Sequence, residues 1–542
     1  MKGKKLFGLL SLLSIFSLSS CIIMDGGARI YKDLTYRFTE ADEKKLRGQM
    51  EKFEVAIKEN NFSSVVSSWN SVNNLAYTIA TLRTIENINY AKGIDESYDK
   101  YVYFSDLVNE ILSWEENQYK ALAESPYKNQ FFDGMSDEEI EALVNSAKPS
   151  RYYEIEKENQ ELLKQYNDLS IDGLENQAEF ESKVPDIYKA LVKNYNEEAT
   201  LLGYSDYMEM AYSDIYSREY SVSDVTTFNE YVRDSIVPLY DTMIEKRNNT
   251  KVESESDKET LNNFLARTDK AYLKLMDKME AYAETQGDAY KSNFKFFKSK
   301  GYLVLGNEDA NIDAAFTTYL YHKGLEQPIM YLGPNYQDVM TYIHEFGHYN
   351  SFAVNGAGKL SYDLAETQSQ GNELLFISFL QHKNEDNVAY TYIANNQVVS
   401  ALQTIIMATI INEFERRVYL SSDIDTIDFA SLYEEVGNYF GGYEKIMRSV
   451  YGDQYGSQID YWKRVALSNP GYYISYAMSN IPSLELYSIA KDNYVKAITS
   501  YSAIYLPDKK YSQADFIKVI EASGLYSPFS KDAYTLICKL GE

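Results

Sequence analysis

Two histidines four residues apart, His344 and His348, are the side chains of this sequence best suited to chemistry, and Glu345 directly follows the first. Residues at this spacing project from one face of a helix, so both imidazoles can bind a single metal ion. Apolar residues around the motif recur at helical spacing and predict a helix over about Asp338–Asn350. Imidazole ligands suit zinc, and Glu345 would take a proton from a water molecule at the metal.

Two glutamates downstream offer further carboxylates at helical spacing. Glu366 starts a second helical pattern that runs to about His382, after a glycine-containing loop at 354–358. Two antiparallel helices joined by this loop would bring Glu366 back towards the histidines as a third zinc ligand. Glu373 lies two turns further along the same face. We expect it to brace a ligand imidazole, and it is the first alternative to Glu366 as the third ligand.

These residues also resemble a known family. The sequence H-E-F-G-H, followed by L-A-E-x-x-S-x-x-N-E, looks like oligoendopeptidase F, a branch of the thimet oligopeptidase-like zinc metallopeptidases. The resemblance implies that His344, His348 and Glu366 are zinc ligands. It also implies that Glu345 is the general base. The family pattern often has a further histidine three residues after the motif, and this sequence has Ser351 there.

A tyrosine-rich segment, N-P-G-Y-Y-I-S-Y-A, lies further downstream at 469–477. In the family a comparable stretch supplies tyrosines that donate hydrogen bonds to the developing oxyanion. Tyr472 and Tyr476 match those positions best. The family also tends to have a histidine a few residues earlier, whereas residues 465–468 here contain none. The resemblance extends, more loosely outside the motifs, from about Tyr195 to Ile489.

Helical periodicity dominates most of the chain. It predicts helices from about Thr39 to Asn293 and one long helix over Val388–Tyr419. Tyr302–Leu305 and Pro328–Leu332 are short apolar runs with nearby glycines, which predict strands. We therefore expect a mainly α fold with a small β-sheet beside the zinc-binding helix. The family resemblance implies that the helices form a large shell around a deep substrate channel. The sheet would either offer an edge to an extended peptide or be a structural hairpin.

The charge balance excludes one large class of partners. Asp and Glu number 80 against 53 Lys and Arg, which gives a formal net charge of -27. A chain this acidic repels phosphate backbones, so we expect no nucleic-acid binding. With 542 residues and 45% hydrophobic content, the chain can build several subdomains or one large helical architecture.

The first residues have the pattern of a targeting segment. Three lysines precede the apolar stretch Leu6–Leu18, which is shorter than the ~20 residues needed to cross a bilayer. The stretch ends in L-S-S-C, which resembles the lipobox of bacterial lipoproteins, so Cys21 is expected to be lipidated. An ordinary secretory signal is the alternative. In the lipoprotein interpretation, residues 1–20 are a signal peptide and 21–38 a tether, and the protein is lipid-anchored outside the cell membrane.

These expectations combine into a zinc-dependent metalloendopeptidase that hydrolyses short oligopeptides. A helical region, 39–294, and a zinc-binding region, 295–542, would form one continuous peptidase fold that holds one Zn²⁺. One rival is an exopeptidase of the same helical zinc class, which removes residues from a peptide end. The other is a lipoprotein that binds peptides without cutting them. Glu345 argues against the second rival, because a pure binder has no need of a base.

Cys21→Ala should release the protein from membranes or leave it unprocessed, because the substitution removes the thiol that would carry the lipid. The measurement is cell fractionation combined with the mass of the mature protein. A native protein that is wholly soluble and still carries its first 20 residues would contradict the lipoprotein assignment.

Overall fold

A computed structural model gives the architecture of most of the chain. It describes residues 38–145, 147–171, 177–267, 270–300, 302–321, 327–356, 361–384, 387–441, 462–467, 469–506, 511–512 and 514–542. The predicted signal peptide, Cys21 and His322 lie outside these residues. Lipidation of Cys21 therefore stays a prediction.

The chain divides into two compact units, each built from two separate segments. The first unit combines the described part of Met1–Lys148 with Asn263–Lys359, and the second combines Pro149–Asn262 with Leu360–Glu542. The helix Glu255–Leu265 runs through the boundary in the sequence. The division into regions at residue 294, made from the sequence, stays a prediction.

The first unit is mainly helical, and its helices before residue 148 share an aromatic core. Its helices are Glu40–Lys58, Phe62–Ala91, Glu96–Ala123, Lys128–Phe131, Asp137–Val144, Met276–Ala283, Asp288–Lys300 and Val339–Asn355, with 3-10 turns at Ala271–Leu275 and Pro334–Tyr336. Phe53, Trp69 and Trp114 come from the three longest of these helices before residue 148, and their rings lie 5.1 to 5.5 Å apart. Aromatic pairs at this distance add to the stability gained from apolar burial.

Three short strands form the sheet of the first unit: β1 (Leu303–Leu305), β2 (Ala315–Leu320) and β3 (Gln327–Leu332). Their order is β1-β3-β2, with β3 parallel to β1 and antiparallel to β2. The central strand β3 is the most buried, as its continuous apolar sequence favours. The half-buried strand β2 lies at one edge of the sheet.

Among the described residues of the second unit, the regular elements are all helices or helical turns. They are Ser150–Ile171, Gln177–Leu201, Tyr207–Met210, Val225–Tyr231, Val237–Asn249, Glu255–Leu265, Tyr362–Lys383, Val388–Tyr419, Phe429–Tyr439, Trp462–Val465, Ile474–Asp492, Tyr494–Tyr505, Phe516–Ala522 and Lys531–Cys538, with π turns at Ala211–Ile215 and Val232–Ile236 and 3-10 turns at Ile424–Thr426 and Lys539–Gly541. Val388–Tyr419 is long and apolar enough to cross a bilayer, but 72% of its apolar window is buried inside the protein, as in a core helix.

The predicted fold class is confirmed: the chain is mainly α, with a small sheet that packs beside the histidine-bearing helix Val339–Asn355. The helix predicted over Val388–Tyr419 has these bounds. The two predicted strands are present as β1 and β3. Strand β2 was not predicted from the sequence, although its residues A-F-T-T-Y-L include the β-branched and aromatic types typical of strands.

Candidate metal centre

The helix Val339–Asn355, called here the histidine helix, has a well-defined start and end. At its N-terminus the Asp338 carboxylate accepts hydrogen bonds from the backbone N–H groups of Met340 and Thr341, at 2.9 and 3.0 Å. These bonds satisfy donors that have no partner inside the helix. At its C-terminus Gly356 takes a φ of 69°, which a residue with a side chain rarely adopts. The helix is longer than the predicted Asp338–Asn350.

One face of the histidine helix is fixed by aromatic packing. Phe346 and Tyr349 are buried there, as the apolar stripe predicted. Phe346 packs against Phe294 with ring centroids 5.0 Å apart, and Tyr349 packs against Phe297 at 4.5 Å. Both partners belong to the helix Asp288–Lys300. The burial of this face determines which way the remaining side chains of the helix project.

His344 and His348 lie side by side on the histidine helix, as their spacing predicted. Their ring centroids are 5.0 Å apart, and each offers a ring nitrogen within 4.8 Å of the other's. Burial, together with the neighbouring His344, lowers the pKa of His348 well below its usual value. A neutral imidazole is the form that binds a metal ion. The two rings are therefore spaced as two ligands of one metal would be, and His348 favours the neutral form that such a ligand needs.

Glu345 is buried and held by a residue that the sequence analysis missed. The Thr317 hydroxyl, on strand β2, donates to Glu345 Oε2 at 2.8 Å and also contacts the Glu345 backbone oxygen at 3.0 Å. The sheet packs against the histidine helix at this point. The hydrogen bond fixes the orientation of a carboxylate that directly follows the first histidine.

Glu366 belongs to the second unit, on the helix Tyr362–Lys383, called here the glutamate helix. Its carboxylate is buried and accepts two hydroxyl hydrogen bonds. The Tyr472 hydroxyl donates to Oε1 at 3.0 Å, and the Ser369 hydroxyl donates to Oε2 at 3.2 Å. Ser369 lies one turn further along the same helix, so its contact was available from the spacing, but it was not predicted.

Tyr472 and Tyr476 lie next to Glu366 within the second unit. Their hydroxyls are 3.4 Å apart, and the Tyr472 hydroxyl is the one that contacts the glutamate. Burial, Tyr476 and Glu366 all raise the pKa of Tyr472 well above its usual value, so it stays protonated and able to donate. The sequence analysis proposed both tyrosines as oxyanion donors. That role stays a prediction for both.

Glu373 is also on the glutamate helix, where its carboxylate accepts a hydrogen bond from the Gln397 amide. Gln397 belongs to the neighbouring helix Val388–Tyr419. The predicted contact between Glu373 and a ligand imidazole stays a prediction. His382, near the end of this helix, contacts the Ser378 backbone oxygen at 2.9 Å.

His344, His348 and Glu366 offer two imidazoles and one carboxylate, which are ligand types that could hold a metal ion such as zinc. Carboxylates that bind a metal are usually hydrogen-bonded themselves, and the Glu366 carboxylate accepts hydrogen bonds from Tyr472 and Ser369. The residues fit a zinc ion.

Comparisons by sequence give no relatives: no family model matches the chain, and no curated protein does. Solved structures do match. The chain is similar to PZ peptidase A, solved with inhibitor 2, with a TM-score of 0.70 and 17% identity over 94% of this chain and 98% of that one. It is also similar to a candidate oligoendopeptidase F from Bacillus anthracis strain Ames, with a TM-score of 0.64 and 17% identity over 94% of this chain and 96% of that one.

A third similar structure has a different kind of activity in its name. It is an M32 carboxypeptidase from Deinococcus radiodurans R1, with a TM-score of 0.51 and 11% identity over 92% of this chain and 99% of that one. All three similarities run over nearly the whole of both chains. The chain has the fold of these peptidases.

Thr317→Val should lower kcat by about 10-fold or more while KM and zinc content stay unchanged. The substitution keeps the shape of the side chain and removes the hydrogen bond to Glu345, and such bonds to charged groups contribute about 1.5–3 kcal/mol. The measurement is steady-state cleavage of a peptide together with metal analysis.

Thr318→Val is the matched control, because successive residues of a strand face opposite sides and the hydroxyl that contacts Glu345 is that of Thr317. Equal activity in the two variants would show that the Thr317 contact plays no part in turnover.

Proposed function

We propose that the chain is a zinc-dependent metalloendopeptidase that hydrolyses peptide bonds in short oligopeptides. The observation that carries this proposal is the histidine helix. Its two imidazoles share one face, and Glu345 is buried beside them with its carboxylate held by Thr317. This arrangement combines a metal-binding pair with a positioned base, which is what metal-assisted hydrolysis requires. The fold shared with known peptidases supports the same reaction class.

In this proposal His344, His348 and Glu366 bind one Zn²⁺ ion. Three protein ligands and one open position are typical of catalytic zinc sites, whereas structural sites use four protein ligands. When bound, zinc would supply a Lewis acid for the scissile carbonyl and make water easier to deprotonate. The hydroxyls of Tyr472 and Ser369 would hold the Glu366 carboxylate in its orientation.

Glu345 would act as the general base. It takes a proton from the attacking water as the water oxygen bonds to the carbonyl carbon. It then delivers that proton to the leaving amine as the carbon–nitrogen bond breaks. Of the two tyrosines predicted to donate to the oxygen that gains negative charge, we keep that role for Tyr476, because the Tyr472 hydroxyl donates its one proton to Glu366.

The substrate would bind as an extended strand along β2. This strand lies at the edge of the sheet and carries Thr317, the residue that contacts Glu345. A peptide that pairs with such an edge uses its backbone for affinity, so many sequences are accepted. An endopeptidase that acts on many peptides needs this kind of recognition.

Two parts of the proposal rest on the sequence and not on the fold. The restriction to short peptides comes from the resemblance of the motifs to oligoendopeptidase F. The location, outside the cell membrane and held by a lipid on Cys21, comes from the lipobox-like segment. An exopeptidase stays open as the second candidate, because a carboxypeptidase has a similar fold.

Incubation with a mixed peptide pool tests the proposal. The protein should cut internal bonds and lose this activity when a chelator removes the metal. Glu345→Gln should keep its zinc and its peptide affinity while kcat falls by about 10²–10⁴-fold, because a positioned acid–base group contributes about this much. His348→Ala is the matched contrast, since it should lose zinc and activity together. Mass spectrometry identifies the bonds that are cut.

The products also separate the rivals. Release of single residues or short pieces from one peptide end would favour the exopeptidase. Peptide binding without any cleavage by the parent protein would favour the lipoprotein that only captures peptides. Glu345→Gln cleaving as fast as the parent would mean that the proposed hydrolytic mechanism is wrong.

A further inference from the structure

Arg218 is a fully buried cation in the second unit, outside the proposed ligand set. Its side chain is 0% exposed, and so is that of Asp363, whose Oδ1 lies 3.8 Å from Arg218 Nε. The guanidinium carbon lies 4.4 Å from the ring centroid of Tyr212 and 4.6 Å from that of Tyr216. Removing a charge from water carries a large free-energy cost, so this position needs an explanation beyond apolar packing.

Arg218 holds the backbone that leads into the helix Ile474–Asp492. Its Nη2 donates to the Ser475 hydroxyl at 2.8 Å and contacts the Tyr472 backbone oxygen at 3.3 Å. The guanidinium carries five donors in a fixed plane, so one group can fix two acceptors relative to each other. The orientation of Tyr472 therefore depends on Arg218.

Two more buried residues hold the preceding turn. We call residues 469–473 the tyrosine loop. The Tyr216 hydroxyl donates to the Pro470 backbone oxygen at 3.0 Å, and the Gly471 N–H donates to Glu415 Oε2 at 2.9 Å. Gly471 has a φ of 80°, so the turn uses a backbone conformation that favours glycine. The loop is thus anchored on both sides of Tyr472.

These contacts close a ring that includes the proposed metal ligand. Asp363 and Glu366 are one turn apart on the glutamate helix. Arg218 pairs with Asp363 and holds the Tyr472 backbone, and the Tyr472 hydroxyl returns to Glu366 at 3.0 Å. The Glu366 carboxylate is thus connected to the glutamate helix twice: through its own side chain, and through Tyr472, Arg218 and Asp363. A carboxylate held in this way loses little conformational freedom when it binds a metal.

We infer that Arg218 is a positioning residue that acts through Tyr472 to orient Glu366 for metal binding. The inference rests on the proposed function, because that function assigns Glu366 as a zinc ligand. Outer contacts of metal ligands typically change metal affinity by about 10–100-fold when they are removed. Arg218 and Tyr472 should therefore affect the zinc dissociation constant itself.

Zinc affinity, measured on the full chain by competition with a chelating dye, tests this inference. Tyr472→Phe should weaken zinc binding by about 10–100-fold, because it removes the hydroxyl that contacts Glu366. Arg218→Met should also weaken zinc binding. In the variant that carries both substitutions, zinc affinity should be no lower than in the single variant with the lower affinity. The reason is that both residues act on Glu366 through one contact, the Tyr472 hydroxyl.

Tyr216→Phe is a milder variant that keeps the experiment decisive if Arg218→Met does not fold. It removes the hydroxyl that holds the Pro470 oxygen and should weaken zinc binding severalfold. Tyr534→Phe is its matched control. The Tyr534 hydroxyl also donates to a proline backbone oxygen, that of Pro528, at 2.7 Å. This bond lies outside the tyrosine loop. The zinc affinity of Tyr534→Phe should equal that of the parent.

Three results would overturn the inference. They are unchanged zinc affinity in Tyr472→Phe, losses that multiply in the double variant, and equal losses in Tyr216→Phe and Tyr534→Phe. Each would mean that Arg218 stabilises the fold without directing Glu366. A parent protein that binds no zinc would instead overturn the proposed function, so the two failures are distinguishable.

Discussion

The pitch of one helix is the constraint on which the proposed site depends. His344 and His348 share a face only while the histidine helix keeps its regular hydrogen bonding between them. The Asp338 cap fixes the start of the helix, and aromatic packing on the opposite face fixes its rotation. If the helix frayed or rotated about its axis, the two histidines would no longer be placed to bind one metal ion. The buried aromatic face therefore serves the site as much as it serves the stability of the unit.

The glutamate helix differs from the histidine helix because many of its buried side chains are polar. Besides Glu366 it buries Asp363 and a run of amide and hydroxyl side chains. Buried polar groups need partners, and several come from the helices that pack against it. The Ser479 hydroxyl donates to Gln370, for example, at 2.7 Å. Apolar residues would pack such a helix at less cost, so these polar contacts point to a requirement for orienting a carboxylate.

The sequence predicted the local parts of this arrangement. The histidine helix, the helix Val388–Tyr419 and the mainly α fold follow from periodicity, because a helix leaves its pattern within a short window. The pairing of the two histidines follows from their spacing. Glu366 was selected by its place in the second helical pattern and by the family motif, whereas the two tyrosines were selected by the resemblance alone. With 51 tyrosines in the chain, composition could not have singled out Tyr472.

The contacts that orient these residues were not predictable, because they join distant parts of the chain. Thr317 reaches Glu345 only through the register of an unpredicted edge strand. Arg218 and Tyr472 are separated by 254 residues, and no local pattern connects them. Interactions of this kind are set by tertiary packing, which a single sequence does not reveal.

X-ray absorption at the zinc edge tests the central claim most directly, because it reports the ligands of the metal itself. The account predicts one zinc per chain with two imidazole nitrogens at about 2.0–2.1 Å and carboxylate oxygen at about 2.0–2.2 Å. In Glu366→Ala the carboxylate contribution should disappear while the imidazole contribution remains in whatever zinc is retained. A spectrum without imidazole scattering, or one that Glu366→Ala leaves unchanged, would contradict the proposed ligand set.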